Sequence, residues 1–350
     1  MTLFDMPLTW TLAIATYNRP EALRRSVLCA LEQTRPPCEI IIVDSSPSQP
    51  SSQQDIQDLV LQSGANVRVH YLRSPIAQQT IQRNLAIDAS SAEVLFMIDD
   101  DAYMYQGCAE KVMTVFEADA GKQIAAVGPA PAATPPDSGG EPLGGLGIPL
   151  PRRAAARWAN ALFELWYWPR KLRYPHFDLP AAPLPIRRAR IIHGYRMIVR
   201  RDIARTCRFD ENLAAGLHED LDASYRFAQQ GALVDLELPL IYHDRAPRPA
   251  EQPRKGSIER YSWIAGHVYL ARQYFGHGLY VRLHAYFSMW RYLPLDLIDA
   301  IRRGNGARLR GTIEGLKAAW RLAMAPAERT GPIYAEGCRA YREQLIVRRR

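Results

Sequence analysis

Glu93 to Tyr103 reads EVLFMIDDDAY: five apolar residues, Val94 to Ile98, run straight into three consecutive aspartates, Asp99, Asp100 and Asp101. A short unbroken apolar run is the pattern of a central parallel strand covered on both faces. The stretch therefore predicts a buried strand that ends in charge. Three adjacent carboxylates repel one another unless a cation sits among them, and in open α/β sheets ligands bind beyond the C-terminal ends of the strands. A hard divalent cation, held by oxygen ligands and shared with a phosphate-bearing substrate, meets that need. The plainer alternative is a solvated acidic turn.

The residues upstream choose between the two. WTLAIA, Trp10 to Ala15, is a short apolar strand that stops at TYNRP, Thr16 to Pro20. Glu21 to Gln33 has Leu23, Val27, Leu28 and Leu31 at helical spacing, with Pro20 where a helix can begin. EIIIV, Glu39 to Val43, is a second buried strand and also ends on an acid, Asp44. Asp55 to Gln62 predicts a helix, Val67 to Leu72 a strand, and Ile76 to Ala89 the helix that leads into EVLFMIDDD. Alternation of strand and helix implies a parallel sheet. It puts Asp44 and Asp99 to Asp101 on one edge of that sheet, an agreement between separate segments that favours a metal and nucleotide site over a solvated turn.

Downstream, Gln106 to Ala120 predicts a helix and Ile124 to Gly128 a strand. Residues 129–189 are a Pro-rich insertion: Pro129 to Pro151 carries too much proline and glycine for regular structure, and Trp158 to Arg173 predicts an aromatic helix or turn. Arg190 to Val199 reads as a strand. His218, Glu219 and Asp220 open a helix that Gly231 closes as a C-cap, and Leu233 to Tyr242 is a strand ending at His243. From Ser257 the pattern turns helical, over Ile258 to Phe275, Leu279 to Ile301 and Leu309 to Met324.

Charge separates the two parts. Residues 251–350 hold 18 Lys or Arg against 8 Asp or Glu, while residues 1–250 hold 26 basic and 28 acidic, so the whole net charge of +8 comes from the last hundred residues. The expected domains are thus 1–250, an α/β unit with the insertion, and 251–350, a basic helical region that suits an anionic partner such as a membrane surface. No run of about 18 apolar residues occurs, and the N-terminus lacks the layout of a signal peptide, which predicts a cytoplasmic protein. Five scattered cysteines without a CxxC pair predict reduced thiols rather than a disulfide framework or a zinc site.

Taken together, TYNR at 16–19, Asp44, Arg83 and Asn84 within IQRNLAID, the aspartates at 99–101 and the Glu219–Asp220 pair resemble the inverting glycosyltransferases of family 2. The resemblance covers about Leu12 to His243. It implies a GT-A fold, a Rossmann-like α/β layout with a mostly parallel sheet and flanking helices, here with a C-terminal α-helical extension. It also implies roles. Thr16, Tyr17, Arg19, Asp44, Arg83, Asp99 and Asp100 would bind a nucleotide-sugar donor. Asp101, Asp99 and His243 would hold Mg2+ or Mn2+, and Asp220 would be the catalytic base with Glu219 beside it.

The implied reaction is transfer of a single sugar to a glycan or lipid-linked acceptor in bacterial cell-surface polysaccharide or glycolipid synthesis. Peripheral contact with an anionic membrane at its inner face would come through the basic helices, and no nucleic acid is expected. The sequence departs from the family where Ser45 and Ser46 follow Asp44 in place of an acid and a glycine, and it lacks the QxxRW signature of processive synthases. Two other classes compete. A sugar-nucleotide nucleotidyltransferase would need a Gly-rich loop after the first strand, where TYNRP stands. A non-enzymatic nucleic-acid or membrane binder would have no use for acids gathered on one sheet edge.

Overall fold

The computed structural model describes residues 7–47, 50–138, 172–213, 217–245, 256–304 and 306–347. They fall into two units. The first takes in the described residues up to 138 with 174–209 and 220–245, and the second takes in 172–173, 210–213, 217–219 and 256–347.

The first unit is built on alternation. β1 (Trp10–Thr16), α1 (Pro20–Leu31), β2 (Glu39–Asp44), α2 (Pro50–Ser63), β3 (Arg68–Arg73), α3 (Gln79–Ala89) and β4 (Val94–Asp99) follow one another as the apolar pattern predicts. β5 (Ala102–Met104), α4 (Cys108–Ala118), β6 (Ile124–Ala132), β7 (Ile186–Arg188), β8 (Met197–Arg200), α5 (Arg201–Cys207), α6 (Glu219–Phe227) and β9 (Ala232–His243) complete it. Among the described residues these strands form one nine-stranded sheet in the order β3-β2-β1-β4-β8-β6-β9-β5, with β7 on β9. β1 runs parallel to β2 and β4, while β8 is antiparallel between β4 and β6.

Period-two geometry explains why the central strands are apolar throughout. Leu12, Ile14, Ile40, Ile42, Phe96 and Ile98 pack on one face with Val27 of α1 and Phe116 of α4. Ala13, Ile41, Val43, Leu95 and Met97 pack on the other with Ile87 of α3. Both faces are covered, and each buried Leu, Ile or Phe contributes about 1.5–3 kcal/mol to holding the sheet. Register follows from this packing, because a slip of one residue would exchange the two faces.

Several elements depart from the sequence reading. β6 continues through Pro129 and Pro131 to Ala132, and a turn of 3-10 helix covers Pro136–Ser138, where irregular structure was expected. Among the described residues β8 pairs with β6 only at Ala126 and Val127, which leaves the later positions of that edge without a strand partner, where proline is tolerated. The aromatic helix expected over 158–173 lies outside the described residues up to 171. Arg190 to Val199 is a strand only from Met197; Gly194–Arg196 is 3-10. Gly231 is not a left-handed cap, since its φ is not positive. A Cβ there would come within 2.8 Å of the Gln123 carbonyl and 2.9 Å of the Ala125 nitrogen, so glycine is needed for close backbone approach.

The second unit is helical: α7 (Ser257–Phe275), α8 (Leu279–Met289), α9 (Tyr292–Arg303), α10 (Ala307–Met324) and α11 (Thr330–Val347). The expected helix over 279–301 is thus two, and α11 carried no expectation. α7 and α10 approach closely because Gly311 and Gly315 face it. A Cβ on Gly311 would collide with the Ser257 carbonyl oxygen, and one on Gly315 would lie 3.1 Å from Ile264 Cβ. No described helix is long and apolar enough to cross a membrane.

Candidate functional site

Strand register gathers the acids. Thr16 pairs with Asp44 and Ala15 with Asp99, so the ends of β1, β2 and β4 meet at one sheet edge. The turn between β1 and α1 bends there with Asn18 at φ +51, a left-handed conformation that asparagine tolerates better than most residues. Gln82 of α3 ties the edge together by donating to the carbonyls of Thr16 (2.9 Å) and Val43 (2.8 Å).

Within the aspartate triplet the three side chains do different things. Asp100 is buried and accepts from Thr16 Oγ1 at 2.8 Å and Arg19 Nη1 at 2.9 Å. Burial pushes its carboxyl up to about 6, against the pull of Arg19 and Thr16. Asp101 accepts from Arg19 Nη1 at 3.1 Å and lies 3.3 Å from His243 Nε2. Burial opposes its ionisation, but the His243 hydrogen bond and the nearby positive charge prevail and hold it below the usual carboxylate range. Asp99, the most exposed of the three, accepts from Gln79 Nε2 (2.8 Å) and Arg83 Nη2 (2.9 Å).

His243 reaches this corner through a three-residue strand that the sequence did not announce. β5 pairs antiparallel with β9, setting Ala102 opposite His243, and the Asp244 N–H donates to the Asp101 carbonyl at 2.9 Å. As a result one ligand atom each of Asp99, Asp101 and His243 lies within 4.8 Å of the others. The fit to a divalent ion is good. Adjacent ligands on an octahedral ion with bonds of 2.0–2.1 Å stand about 3 Å apart, and Asp101 and His243 are already near that spacing. Two carboxylates and an imidazole are also a donor set that Mn2+ accepts.

The β2 end of the edge is more tightly bonded than expected. Asp44 is buried and accepts from the Ser46 N–H (2.7 Å), the Ser46 hydroxyl (2.5 Å) and the Tyr71 hydroxyl (2.7 Å). Ser46, the departure from the family pattern, is therefore the residue that clasps Asp44. Tyr17 is half-buried in the β1–α1 turn. Arg83 is buried, its Nη2 also donates to the Gly194 carbonyl at 3.1 Å, and its Nη1 has no hydrogen bond among the described residues. A buried guanidinium nitrogen left open beside Asp99 suits an anionic oxygen of a ligand. Asn84 is structural: it exchanges hydrogen bonds with the Phe209 backbone at 3.0 and 2.9 Å.

Asp220 lies at the start of α6 and accepts from the Leu221 N–H at 2.8 Å and from His193 Nδ1 at 3.1 Å. Burial works against its charge, yet His193 together with Arg83 keeps it below the usual carboxylate range. The side chain is 27% exposed, so solvent can reach it. Glu219, its neighbour in α6, is buried and counts with the helical unit.

His193 was missed in the sequence because its partner is 27 residues away and its own segment read as strand. It stacks on Tyr195, which stacks in turn on His243 with centroids 4.4 Å apart. A ladder of three rings thus joins Asp220's partner to the metal-ligand cluster. Tyr195 and Gln79 were likewise not legible as site residues.

No protein of curated function matches the chain. Among solved structures, GalNAc-T7 with UDP, GalNAc and Mn2+ is similar at 16% identity and TM-score 0.48, covering 68% of this chain and 44% of its own. The mannosyltransferase PcManGT from Pyrobaculum calidifontis, with GDP-Man and Mn2+, is similar at 12% identity and TM-score 0.49, covering 97% of this chain and 88% of its own. S. aureus TarS is similar at 11% identity and TM-score 0.50, covering 97% and 54%. The chain spans less than half the length of the first of these and about half of the last, and what it shares with the last is the fold. The family model described as "Glycosyl transferase family 2" matches residues 11–134, the stretch that holds β2 to β4 and all three aspartates, and that segment is similar to the family.

Proposed function

We propose that the protein is an inverting, metal-dependent glycosyltransferase that moves a single sugar from a nucleotide-sugar donor to a glycan or lipid-linked acceptor, in bacterial cell-surface polysaccharide or glycolipid synthesis. The observation that carries this reading is the Asp99–Asp101–His243 cluster at the sheet edge where Asp44 also stands, with Asp220 bonded to His193, whose ring stacks through Tyr195 toward His243. A Mn2+ or Mg2+ ion held by Asp99, Asp101 and His243 would supply positive charge against the charge that builds on the departing diphosphate. Mn2+ suits the mixed oxygen and imidazole set better than Mg2+.

The remaining roles belong to the chain's own groups. Asp44, with Thr16 and Tyr17 of the adjoining turn, addresses the nucleoside. Asp100 holds Arg19 in the turn, while Arg83 offers its open Nη1 to a diphosphate or sugar oxygen. In the transfer, the acceptor oxygen forms a bond to the anomeric carbon as the bond from that carbon to the diphosphate oxygen breaks, and the electron pair leaves on the diphosphate. Asp220 takes the acceptor's proton. His193 keeps that carboxylate ionised and aimed, with Glu219 beside it on the acceptor side. The basic helical region rests against an anionic membrane at the cytoplasmic face.

Asp220→Asn tests the assignment, because it keeps the side chain's shape and removes its basicity. Sugar transfer should be lost while nucleotide binding in the presence of Mn2+ persists. Transfer at the wild-type rate would remove Asp220 from the base role.

A further inference from the structure

Within the helical unit, one surface carries its apolar residues outward. Tyr280 (73% exposed), Phe287 (58%) and Trp290 (45%) belong to α8 and its end, and Leu297 (46%), Ile298 (47%) and Ile301 (75%) to α9. The joint between the two helices, Trp290 and Arg291, keeps α-helical backbone angles, so helical periodicity runs on from one to the other. Positions 280, 287, 290, 294, 297, 298 and 301 then recur at the i, i+3, i+4, i+7 spacing of a single face. Exposed Pro294 fills the remaining place on it. Tyr286 adds ring contacts to Phe287, Trp290 and exposed Trp320 of α10, which makes an aromatic cluster at one end of the stripe.

Charge says what covers this stripe. Six arginines and two aspartates lie between 279 and 310. Asp296 is buried against Arg260 at 2.7 Å and Asp299 is paired with Arg303 at 2.7 Å, so neither acid stands as a free negative group. Arg302, Arg303, Arg308 and Arg310 are all exposed at the far end of the stripe. A second copy of the chain would bring the same arginine-rich surface, and with Asp296 and Asp299 already paired this stretch supplies no acid to meet those arginines. An anionic bilayer reverses that sign: the apolar face enters the acyl boundary, tyrosine and tryptophan sit at headgroup level, and the arginines reach the phosphates.

We infer that the outer face of α8 and α9, from Tyr280 to Ile301, is a membrane-docking surface that inserts its apolar side chains into an anionic lipid leaflet. This sharpens the membrane contact proposed above and assumes nothing about the sugar transfer. It also separates two contributions: arginine attraction alone is abolished by salt, whereas insertion of the stripe persists in part.

Co-sedimentation of the full chain with phosphatidylglycerol-containing vesicles, and with phosphatidylcholine vesicles, tests it at low and high salt. The wild-type chain should pellet with the anionic vesicles and retain part of that binding at high salt. Ile298→Asp/Ile301→Asp should lower the partition by about tenfold or more, since binding scales with the apolar area inserted, while nucleotide binding and melting temperature stay unchanged because both side chains are already exposed. Arg302→Glu/Arg303→Glu should weaken binding chiefly at low salt. The inference fails if wild-type protein stays in solution with both vesicles, or if the Asp pair pellets as wild type. It fails equally if sedimentation velocity shows a dimer that the Asp pair dissociates, which would make the stripe a protein interface. Transfer activity in a water-soluble acceptor assay is read separately, so loss of the docking surface and loss of the catalytic reading are told apart.

Discussion

The edge of the sheet and the outer face of α8 and α9 are both places where the chain spends residues against the ordinary rules of folding, and they do so in opposite ways. At the sheet edge, charge is drawn inward: Asp44, Asp100 and Asp101 are buried at the ends of apolar strands, and Arg83 of α3 is buried beside Asp99, each with partners. On the helices, apolar surface is pushed outward, with Ile301, Tyr280, Leu295 and Phe287 all more than half exposed. Buried charge costs stability unless it is matched and hydrogen-bonded, and exposed apolar surface gains nothing from water. Both are consistent with parts of the structure that are completed by something outside the chain, an ion and nucleotide in one case and a lipid surface in the other.

Substitutions can pull the two regions apart. Asp101→Ala removes a ligand and leaves Arg19 and His243 without their shared carboxylate; turnover should fall by about 10²–10³-fold, the loss typical of removing a group that stabilises leaving-group charge, with vesicle binding intact. Steady-state rates and co-sedimentation on the same preparation check both halves of that statement. Gly311→Val acts the other way. It forces a side chain into the Ser257 carbonyl and should destabilise the helical unit by about 1–3 kcal/mol, visible as a lower melting temperature, while nucleotide and Mn2+ binding to the sheet edge remain.

Glu39→Gln probes the sheet away from its functional edge. Glu39 is buried at the start of β2 and accepts from Thr11 Oγ1 (2.5 Å), the Ser91 N–H (2.6 Å) and hydroxyl (3.0 Å), and the Ala92 N–H (3.3 Å). Burial opposes its charge, but these donors outweigh it and its folded pKa is lowered. Its contribution is therefore fully present above the unfolded glutamate's pKa and is lost as pH falls through the folded value. The wild-type melting temperature should drop steeply at acid pH. The Gln variant should start lower, by about 1–2 kcal/mol, and show a shallower fall. Smallest is His193→Gln, expected to reduce kcat by about tenfold or less with donor KM unchanged, since proton transfer by a positioned base contributes 10²–10⁴-fold and only its tuning is lost. Because His193 lowers the Asp220 pKa, the acid limb of the rate profile should move upward in pH.

The sheet edge was largely legible in the sequence and the stripe was not, for a physical reason. β1, β2 and β4 are short apolar runs, and β2 and β4 end on acids, a signal that survives in any reading because both faces must be buried. Asp44, Asp99 and Asp101 fall at strand ends that register then brings together. His243 was legible only as the residue after a strand. What places it is β5, whose three residues are too few to show a period. His193 was hidden because contact over a long sequence separation leaves no local trace. α5 and α11 went unseen, α5 because its seven residues carry charge on most faces. For α8 and α9, periodicity gave the helices but not which side faces outward, since apolar residues pointing to water and to a core look alike until the packing is known.

On the function proposed, Asp99, Asp101 and His243 hold a divalent ion shared with a nucleotide diphosphate. The most direct measurement is the melting temperature with Mn2+ alone, with UDP or GDP alone, and with each nucleotide plus Mn2+, for the wild-type chain and for Asp101→Ala. Since a ligand that binds only the folded state raises the melting temperature, the shift with metal and nucleotide together should exceed the sum of the separate shifts and disappear in Asp101→Ala. Additive shifts, or a joint shift that Asp101→Ala retains, would contradict it.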